Sequence, residues 1–270
     1  MCDLPVVLTG LSAAVRDELA QRLHTARGLC QEVARLTVEV PALTLADAYA
    51  IQASGIALRQ AAGERVVAYK MGLTSAGKRQ QMGLDAPVYG VLTDTMLVSA
   101  DQPLVLSGGI HPKVEPEIAF LLRTPLRAGM DRASAWQCVA GVAPALEILD
   151  SRYIGFKYFS LPDVVADNSS SWRYAVGAFV APELCDPADL AMEMTVDGRV
   201  VATGRSAEIS GDPVASLVQL GDLAELYGLQ VPAGAVVLSG AATPAFALTA
   251  ACEVWLDVAG LERLRLSVVA

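Results

Sequence analysis

Apolar residues in the first quarter of the chain recur every three to four positions, which is the spacing of one face of an α-helix. A second helical segment begins at Thr44, a residue suited to capping a helix start, and ends at Gly63. The pattern predicts an N-terminal helical region over residues 1–64 that packs as a cap on the remaining chain. The apolar positions of the first helix are Leu11, Val15, Leu19, Leu23, Ala26, Cys30 and Val33.

After Gly63 the pattern changes to short apolar runs separated by glycine and proline, which is typical of strands joined by turns. Asp197 and Gly198, between two alternating runs, form a strong hairpin signal. The sequence therefore predicts an α+β protein whose residues 65–270 form the strand-rich part. Strands are predicted at 66–71, 87–94, 104–106, 111–122, 142–149, 235–238, 252–258 and 264–269, and helices near 76–82, 131–140 and 213–227.

Acidic residues interrupt two of the apolar runs. Glu115 and Glu117 stand two residues apart, so a strand would present both on the same face. Two like charges at about 4 Å repel by roughly 4 kcal/mol at an intermediate dielectric, so a partly buried pair needs water, a proton or a cation. Glu147 interrupts a second run in the same way, and the three carboxylates would suit one divalent cation. A solvent-exposed strand face is the alternative interpretation.

Other polar positions also allow two interpretations. Lys70, near a strand end, is either a surface lysine or, beside a cluster of carboxylates, an anchor for a substrate anion or a proton-transfer group. Asp94 ends the following strand, where aspartate is most often a turn residue. The polar segment 168–171 is either a plain turn or a set of hydrogen-bond donors for a carboxylate.

Charge and composition exclude several classes of function. The 270 residues carry 20 lysines and arginines against 29 acidic residues, and the net charge of −9 argues against nucleic-acid binding and a basic membrane-binding surface. The charge-free segment 226–252 is broken by glycine and proline, so no transmembrane helix is predicted.

The N-terminus lacks the features of a signal peptide and the five cysteines form no CxxC motif, which predicts a cytoplasmic protein with reduced thiols. With only two histidines, a zinc site or a Ser/His/Asp triad is hard to build.

Six segments carry motifs in a specific order and spacing, namely YKMGLTS, YGVLTD, HPKVEPEIAFLL, PALEILDSRY, VVADNSSS and AGAVVLSGAATP. Together they resemble the 2-keto-4-pentenoate hydratase and 4-oxalocrotonate decarboxylase branch of the fumarylacetoacetate hydrolase superfamily. The resemblance extends from about Thr44 to the C-terminus. It implies a mixed β-roll with an N-terminal helical cap and a homo-oligomeric assembly.

The resemblance also implies roles for individual residues. Glu115, Glu117 and Glu147 match the carboxylates that hold Mg²⁺ or Mn²⁺ in the family. Lys70 matches the active-site lysine, and Asp94 matches the acidic residue that ends the following strand, so both are predicted to be catalytic. Four further positions match residues near the bound 2-oxo acid in the family: Gly72, Leu73, Asn168 and Ser170.

The activity that the resemblance implies is metal-dependent decarboxylation of 2-oxo-3-hexenedioate (4-oxalocrotonate) to 2-hydroxypenta-2,4-dienoate and CO₂ in the meta-cleavage catabolism of aromatic compounds. The metal would act as a Lewis acid on the carboxylate and keto oxygens of the substrate. The segment 150–171 resembles the decarboxylases more than the hydratases. Both groups often carry Gly-His-Pro where this chain has Asp212 between Gly211 and Pro213, and this difference leaves the exact substrate open.

Three alternatives stand beside this interpretation. Two are enzymatic: hydration of 2-hydroxypenta-2,4-dienoate, and hydrolysis of an acylpyruvate C–C bond. The third is a non-catalytic partner that stabilises an enzyme of the same pathway, since decarboxylases and hydratases of the family associate. Retention of all three glutamates and of Lys70 favours catalysis.

Overall fold

The computed structural model describes residues 10–74, 87–99, 101–156 and 160–270. The α-helices in these ranges are α1 (Ala13–Leu29), α2 (Leu36–Glu39), α3 (Leu45–Ala61), α4 (Arg132–Gln137), α5 (Leu161–Ala166) and α6 (Pro213–Leu226). The strands are β1 (Val66–Gly72), β2 (Val88–Thr93), β3 (Leu104–Val105), β4 (Lys113–Leu122), β5 (Val139–Leu149), β6 (Ser171–Val176), β7 (Ala191–Val196), β8 (Arg199–Arg205), β9 (Val236–Ala241), β10 (Phe246–Ala247), β11 (Cys252–Val258) and β12 (Leu264–Val269). The helix predicted near 76–82 lies outside the described residues.

Every α-helix of the described ranges except α2 begins at a side-chain cap, and two of the helices end earlier than the sequence predicts. Thr44 Oγ1 accepts a hydrogen bond from the Asp47 N–H and starts α3 as predicted. Helix α1 ends before Cys30, which takes a left-handed conformation (φ 51°), rather than continuing to position 33. Helix α4 ends at Gln137 rather than near 140, because the chain from Val139 pairs with β4 as the start of β5.

The strands form two sheets. A seven-stranded mixed sheet has the order β2-β1-β9-β4-β5-β6, with β10 also paired to β4, and a five-stranded sheet has the order β3-β12-β11-β7-β8. Strands β7 and β8 are joined by Asp197 (φ 48°) and Gly198 (φ 77°), which is the positive-φ pair of a tight hairpin turn. The predicted α+β class and the predicted hairpin are both confirmed.

The seven-stranded sheet curls until its outer strands β2 and β6 meet. Asn168, in the loop before β6, joins them, because its side-chain amide both donates to the Val91 carbonyl and accepts from the Val91 N–H, each at 2.8 Å. The approach is so close that a Cβ atom on Gly90 would lie 2.6 Å from Ser171 Oγ. These contacts close the sheet into a roll and enclose its inner face.

The N-terminal helices share the core of the roll. Leu19 on α1 and Tyr49 on α3 belong to the same buried hydrophobic cluster as Met71 and Phe120 of the sheet. The Tyr49 ring stacks on Tyr89 of β2 with ring centroids 4.5 Å apart. A division of the chain at residues 64 and 65 stays a prediction, although the boundary falls in the connection between α3 and β1. In the described ranges, every helix is too short or too polar to cross a lipid bilayer.

Candidate metal centre and its cavity

Strand register brings the three predicted glutamates together. Glu115 on β4 is directly opposite Glu147 on β5 in the antiparallel pair, so their side chains emerge on the same face. Glu117 follows two residues after Glu115 and therefore shares that face. One carboxylate oxygen from each glutamate lies within 4.8 Å of the other two.

Burial raises the free-energy cost of keeping all three carboxylates of this cluster charged. Glu117 is fully buried and Glu147 is 1% exposed, whereas Glu115 is partly exposed. Glu117 Oε2 accepts a hydrogen bond from the Gly240 N–H at 2.8 Å, but its buried Oε1 has no hydrogen-bond partner among the described residues. Burial and the neighbouring Glu147 carboxylate raise the pKa of Glu117 well above its usual range. A divalent cation would use the unpartnered oxygen and balance the repulsion, so the donor set fits a hard metal ion.

Position 240, whose backbone N–H donates to Glu117, accommodates only glycine. Its φ of +107° is disfavoured for other residues, and a Cβ atom there would overlap Thr74 Oγ1. The glycine therefore lets β9 approach the end of β1 and directs a backbone N–H at the buried carboxylate.

Lys70 faces the same cluster from β1. Its side chain is buried, and Nζ lies 2.9 Å from Glu147 Oε1. The contact spans two intervening strands of the sheet, β9 and β4, which is feasible because the sheet is curled. Three carboxylates and one ammonium leave two negative charges in excess, the charge that one divalent cation would neutralise.

A cavity of about 290 Å³ opens beside this cluster, and we call it the carboxylate cavity. Its polar lining consists of Lys70, Thr74, Lys113, Glu115, Glu147 and Ser169. Its apolar lining includes Leu73, Val88, Leu149 and Val164. A volume of this size suits a small organic acid rather than a macromolecule.

Several residues that line the cavity were not among the predicted site residues, and two of the polar ones are Lys113 and Ser169. Lys113 lies on β4 two residues before Glu115, and the period of two that pairs Glu115 with Glu117 could have identified it. Its Nζ lies 4.0 Å from the centroid of the Phe156 ring. Ser169 belongs to the polar segment 168–171, but the sequence could not show which residue of that segment faces the cavity, because the orientation depends on left-handed backbone at residues 168 to 170.

Of the predicted substrate-binding residues, the structure brings Gly72 and Leu73 to the carboxylate cavity. Asn168 and Ser170 do not line it. The Asn168 amide is occupied by the backbone of Val91, and Ser170 is buried, so Ser169 is the residue of this segment that lines the cavity.

Asp94 also lies outside the described lining of the carboxylate cavity, so its catalytic role stays a prediction without support from the cavity. Its carboxylate binds Arg65, with Oδ2 2.9 Å from Nε and Oδ1 3.0 Å from the backbone N–H. Lys70 pairs with Gly90 in the β1–β2 register, and Asp94 stands four residues beyond Gly90, just past the end of β2, about 13 Å away along an extended chain. These contacts fit the turn role that aspartate commonly has at a strand end.

Asp212, the acid found where the family often has histidine, starts a helix. Its Oδ1 accepts from the Val214 N–H at 2.8 Å at the N-terminus of α6, and its Oδ2 lies 2.6 Å from Arg132 Nε. It does not line the carboxylate cavity. In this chain Asp212 therefore caps the helix from a position outside the described cavity lining.

Comparison with known proteins identifies the family. The fumarylacetoacetate (FAA) hydrolase C-terminal family matches residues 59–269, and the chain belongs to this family. A 4-oxalocrotonate decarboxylase from Pseudomonas sp. is 43% identical over 249 residues, which cover 92% of this chain and 96% of the relative. A 2-keto-4-pentenoate hydratase from Paraburkholderia phymatum is 35% identical, over 93% of this chain and 96% of the relative.

A solved structure agrees in detail with this fold. The 4-oxalocrotonate decarboxylase from Pseudomonas putida G7, complexed with magnesium and adipate, superposes with a TM-score of 0.94 at 32% identity, covering 97% of this chain and all of that chain. The predicted mixed β-roll with an N-terminal helical region is confirmed.

Proposed function

We propose that this chain is a divalent-metal-dependent carboxy-lyase that converts 2-oxo-3-hexenedioate into 2-hydroxypenta-2,4-dienoate and CO₂. The observation that carries the proposal is the convergence of Glu115, Glu117 and Glu147 within 4.8 Å, with Lys70 in contact with Glu147. The 43% identity to a 4-oxalocrotonate decarboxylase over nearly the whole chain supports this choice of substrate.

The three glutamates would hold Mg²⁺ or Mn²⁺. Both ions prefer carboxylate oxygens, and the similar decarboxylase structure is a magnesium complex. When bound, such an ion acts as a Lewis acid that stabilises negative charge on substrate oxygens. Gly240 keeps Glu117 oriented by its hydrogen bond to Oε2, which leaves Oε1 without a hydrogen-bond partner among the described residues and available to a metal ion.

Lys70 would donate the proton that the reaction requires. During decarboxylation the C5–C6 bond breaks, and its electron pair moves through the C3–C4 double bond to the oxygen on C2. That oxygen then needs one proton to give the enol product. The Lys70 ammonium lies in the cavity against Glu147 and is suited to donate a hydrogen bond or a proton there.

Lys113 and the apolar lining would hold the second carboxylate of the substrate. Lys113 is a second cation of the cavity, and its Nζ is positioned against the Phe156 ring. Leu73, Val88 and Val164 reduce water access, which favours release of the carboxylate as neutral CO₂.

Loss of the charge pair between Lys113 and the substrate carboxylate costs about 2–5 kcal/mol, so Lys113→Met should raise the KM for the dicarboxylate at least ~10-fold. An unchanged KM would remove Lys113 from the proposed site.

The function is tested by incubating metal-stripped protein with 2-oxo-3-hexenedioate, with and without Mg²⁺, and following CO₂ release and the ultraviolet spectrum. We expect CO₂ release only with the metal. Metal-independent release, or none in the presence of Mg²⁺ or Mn²⁺, would contradict the proposal.

Hydration of 2-hydroxypenta-2,4-dienoate is the second candidate, because a 2-keto-4-pentenoate hydratase is 35% identical over 93% of this chain. The same metal and Lys70 would serve it, with water added at the distal carbon. Metal-dependent loss of the dienoate absorbance, without CO₂ release from the dicarboxylate, would favour the hydratase.

We also propose that the protein is a cytoplasmic homo-oligomer that can associate with a cognate pathway enzyme. Three large apolar side chains are exposed and would lose water contact if a subunit interface covered them: Leu184 is 79%, Leu29 60% and Val38 60% exposed. The four cysteines in the described ranges are free thiols, as expected in a reducing compartment. Sedimentation of the purified protein should give a mass of at least twice 28.3 kDa; a monomer at micromolar concentration would contradict the assembly.

A further inference from the structure

A short turn at residues 153–156 lies beside Lys113, one of the two lysines that line the described part of the carboxylate cavity. The Phe156 N–H donates to the Tyr153 carbonyl at 3.0 Å and closes the turn. The centroid of the Phe156 ring lies 4.0 Å from Lys113 Nζ, so the ring contacts the ammonium through its face. Phe156 is buried but does not line the cavity, so any effect of the turn on a bound molecule passes through Lys113.

The backbone of this turn is strained. Gly155 has a φ of 73° and Phe156 a φ of 43°, and both values lie in the left-handed region, which residues with a Cβ atom seldom adopt. Residues in this conformation persist where contacts from the surrounding structure hold them, and they are frequent beside ligand sites. We therefore expect residues outside the turn to hold it in place.

The contacts that hold the turn come from Glu32 and Val33, far earlier in the chain. The Val33 N–H donates to the Arg152 carbonyl at 2.8 Å, and the Ile154 N–H donates to the Val33 carbonyl at 3.2 Å. Glu32 Oε1 accepts the N–H of the left-handed Gly155 at 2.6 Å, a contact between residues 123 positions apart. Segment 32–33 therefore binds the turn through three hydrogen bonds.

Glu32 also binds the segment that leads into β4. His111 Nε2 lies 2.6 Å from the same Oε1 atom, and Lys113 follows two residues later as the first residue of β4. The hydrogen bonds from Gly155 and His111 lower the pKa of Glu32, so a charged carboxylate accepts both. One side chain thus joins the turn that carries the aromatic ring to the segment that carries the lysine.

We propose that Glu32 is a positioning residue for Lys113. By joining the turn to the start of β4, Glu32 keeps the Phe156 ring on the Lys113 ammonium and holds that cation at the cavity wall before a ligand binds. A preorganised side chain loses less conformational entropy when it pairs with a carboxylate, so affinity rises. Glu32 therefore favours ligands that carry a second carboxylate. The proposal rests on the role given to Lys113 in the proposed function.

The exposure of the Glu32 contact makes this proposal testable in a folded protein. The side chains of Glu32 and His111 are 36% and 30% exposed. Ion pairs with this exposure contribute little to the free energy of unfolding. Substitution of Glu32 should therefore change ligand binding without unfolding the chain, which circular dichroism can verify.

The test compares two saturated six-carbon acids on the magnesium-loaded protein by isothermal titration calorimetry. Both 2-oxohexanedioate and 2-oxohexanoate carry the 2-oxo acid group, but only the first has a second carboxylate. Neither has the C3–C4 double bond that decarboxylation requires, so binding is measured without turnover. Because two hydrogen bonds are lost, Glu32→Ala should raise the Kd of 2-oxohexanedioate at least ~5-fold and leave that of 2-oxohexanoate within about twofold. Glu32→Gln keeps an acceptor oxygen and should give an intermediate Kd.

A double-mutant cycle separates positioning from a general structural effect. In a Lys113→Met background, Glu32→Ala should cause no further rise in the Kd of 2-oxohexanedioate, because the cation that Glu32 positions is absent. Phe156→Leu removes the ring face and should raise the same Kd by ~2–5-fold in the wild type. It should likewise have no further effect in the Lys113→Met background.

The matched control is Glu39→Ala, which removes the same charge from another paired glutamate of the N-terminal region. Glu39 binds Arg22 at 2.7 Å and lies outside the lining of the carboxylate cavity. The Kd values of this variant for both acids should equal those of the wild type.

Three results would overturn the proposal: an unchanged Kd of 2-oxohexanedioate in Glu32→Ala, an equal rise for both acids, or a further rise in the Lys113→Met background. An unchanged Kd in Lys113→Met alone would show that the role given to Lys113 is wrong, and the positioning role of Glu32 would fall with it. Release of CO₂ is measured separately, so failure of the decarboxylase activity is distinguishable from failure of this proposal.

Discussion

Two charged regions of the molecule differ in how their charges are held: the cluster of three glutamates beside the carboxylate cavity, and a smaller cavity lined by Arg27, Arg59, Arg152 and Asp167, which we call the arginine cavity. In the carboxylate cavity the like charges come from directly paired positions of β4 and β5, so backbone hydrogen bonds hold them together. In the arginine cavity they come from α1, α3 and the segment after β5, and Arg59 and Arg152 are each paired with an acid, Glu64 and Asp167. Strand pairing therefore keeps the backbone of the like-charged residues close together in the first region, and a cation would balance them. In the second region, acids of the chain balance two of the three arginines.

The largest effect should follow from breaking the carboxylate cluster. Glu147→Gln removes a predicted metal ligand and the partner of Lys70, so metal-dependent turnover should fall by at least ~10²-fold. Steady-state kinetics at saturating Mg²⁺ measures this loss, and circular dichroism checks that the fold is retained.

Glu193→Gln is the matched control, because Glu193 is exposed on β7 and lies outside the cluster. Its turnover should match that of the wild type. Full activity in Glu147→Gln would show that the three-glutamate site is wrong.

The second-largest effect should follow from breaking the ion pair between Arg152 and Asp167 in the arginine cavity. Arg152→Met leaves the fully buried Asp167 carboxylate without its ion pair and removes the bonds of Arg152 to the carbonyls of Asp167 and Ser171. Breaking a buried pair of this kind should lower the free energy of unfolding by about 3–5 kcal/mol. Urea denaturation measures the change.

Arg205→Met breaks an exposed ion pair with Asp189 and should change the free energy of unfolding far less. Similar losses in the two variants would mean that Arg152 is not the residue that stabilises the loop.

A third prediction concerns pH and the metal. Because burial and Glu147 raise the pKa of Glu117, a metal ion must displace a proton from Glu117 when it binds. Mg²⁺ affinity should therefore fall as the pH is lowered, by up to ~10-fold per pH unit for one proton released. Calorimetry in buffers of different ionisation enthalpy measures the released proton, and a pH-independent affinity would contradict the coupling.

The raised pKa of Glu117 also determines how the stability of the metal-free protein changes with pH. A folded-state pKa above the usual value of 4.5 means that this stabilising contribution is complete below pH 4.5 and is lost as the pH rises through the raised pKa. Bound Mg²⁺ should remove that loss.

The smallest effect is expected at Asp94. Asp94→Asn alters a partly exposed contact with Arg65, so kcat and KM should stay within about twofold of the wild type. A loss of kcat comparable to that of Glu147→Gln would establish Asp94 as a catalytic residue, with assay of the two variants side by side as the measurement.

The sequence could predict those parts of the site that depend on local periodicity. The two-residue spacing of Glu115 and Glu117 and the interrupted apolar run at Glu147 were sufficient to anticipate one acidic face. The positions that were assigned differently depend on tertiary contacts. Asn168 is a polar loop residue in sequence, and only the closure of β2 against β6 explains why its amide is bound to Val91. The arginine cavity was not anticipated, because residues 27, 59 and 152 share no sequence period.

The closure of the roll by Asn168 has a consequence for how the molecule opens. Most neighbouring strands of this sheet are held by a ladder of backbone hydrogen bonds, but at Val91 the outer edge of β2 is held by one side-chain amide. This contact between β2 and β6 can separate without breaking a row of backbone hydrogen bonds. The Val91 amide should therefore exchange with deuterium earlier than the amides in the middle of β4. The line between β2 and β6 is then where the first sub-global opening of the roll should begin.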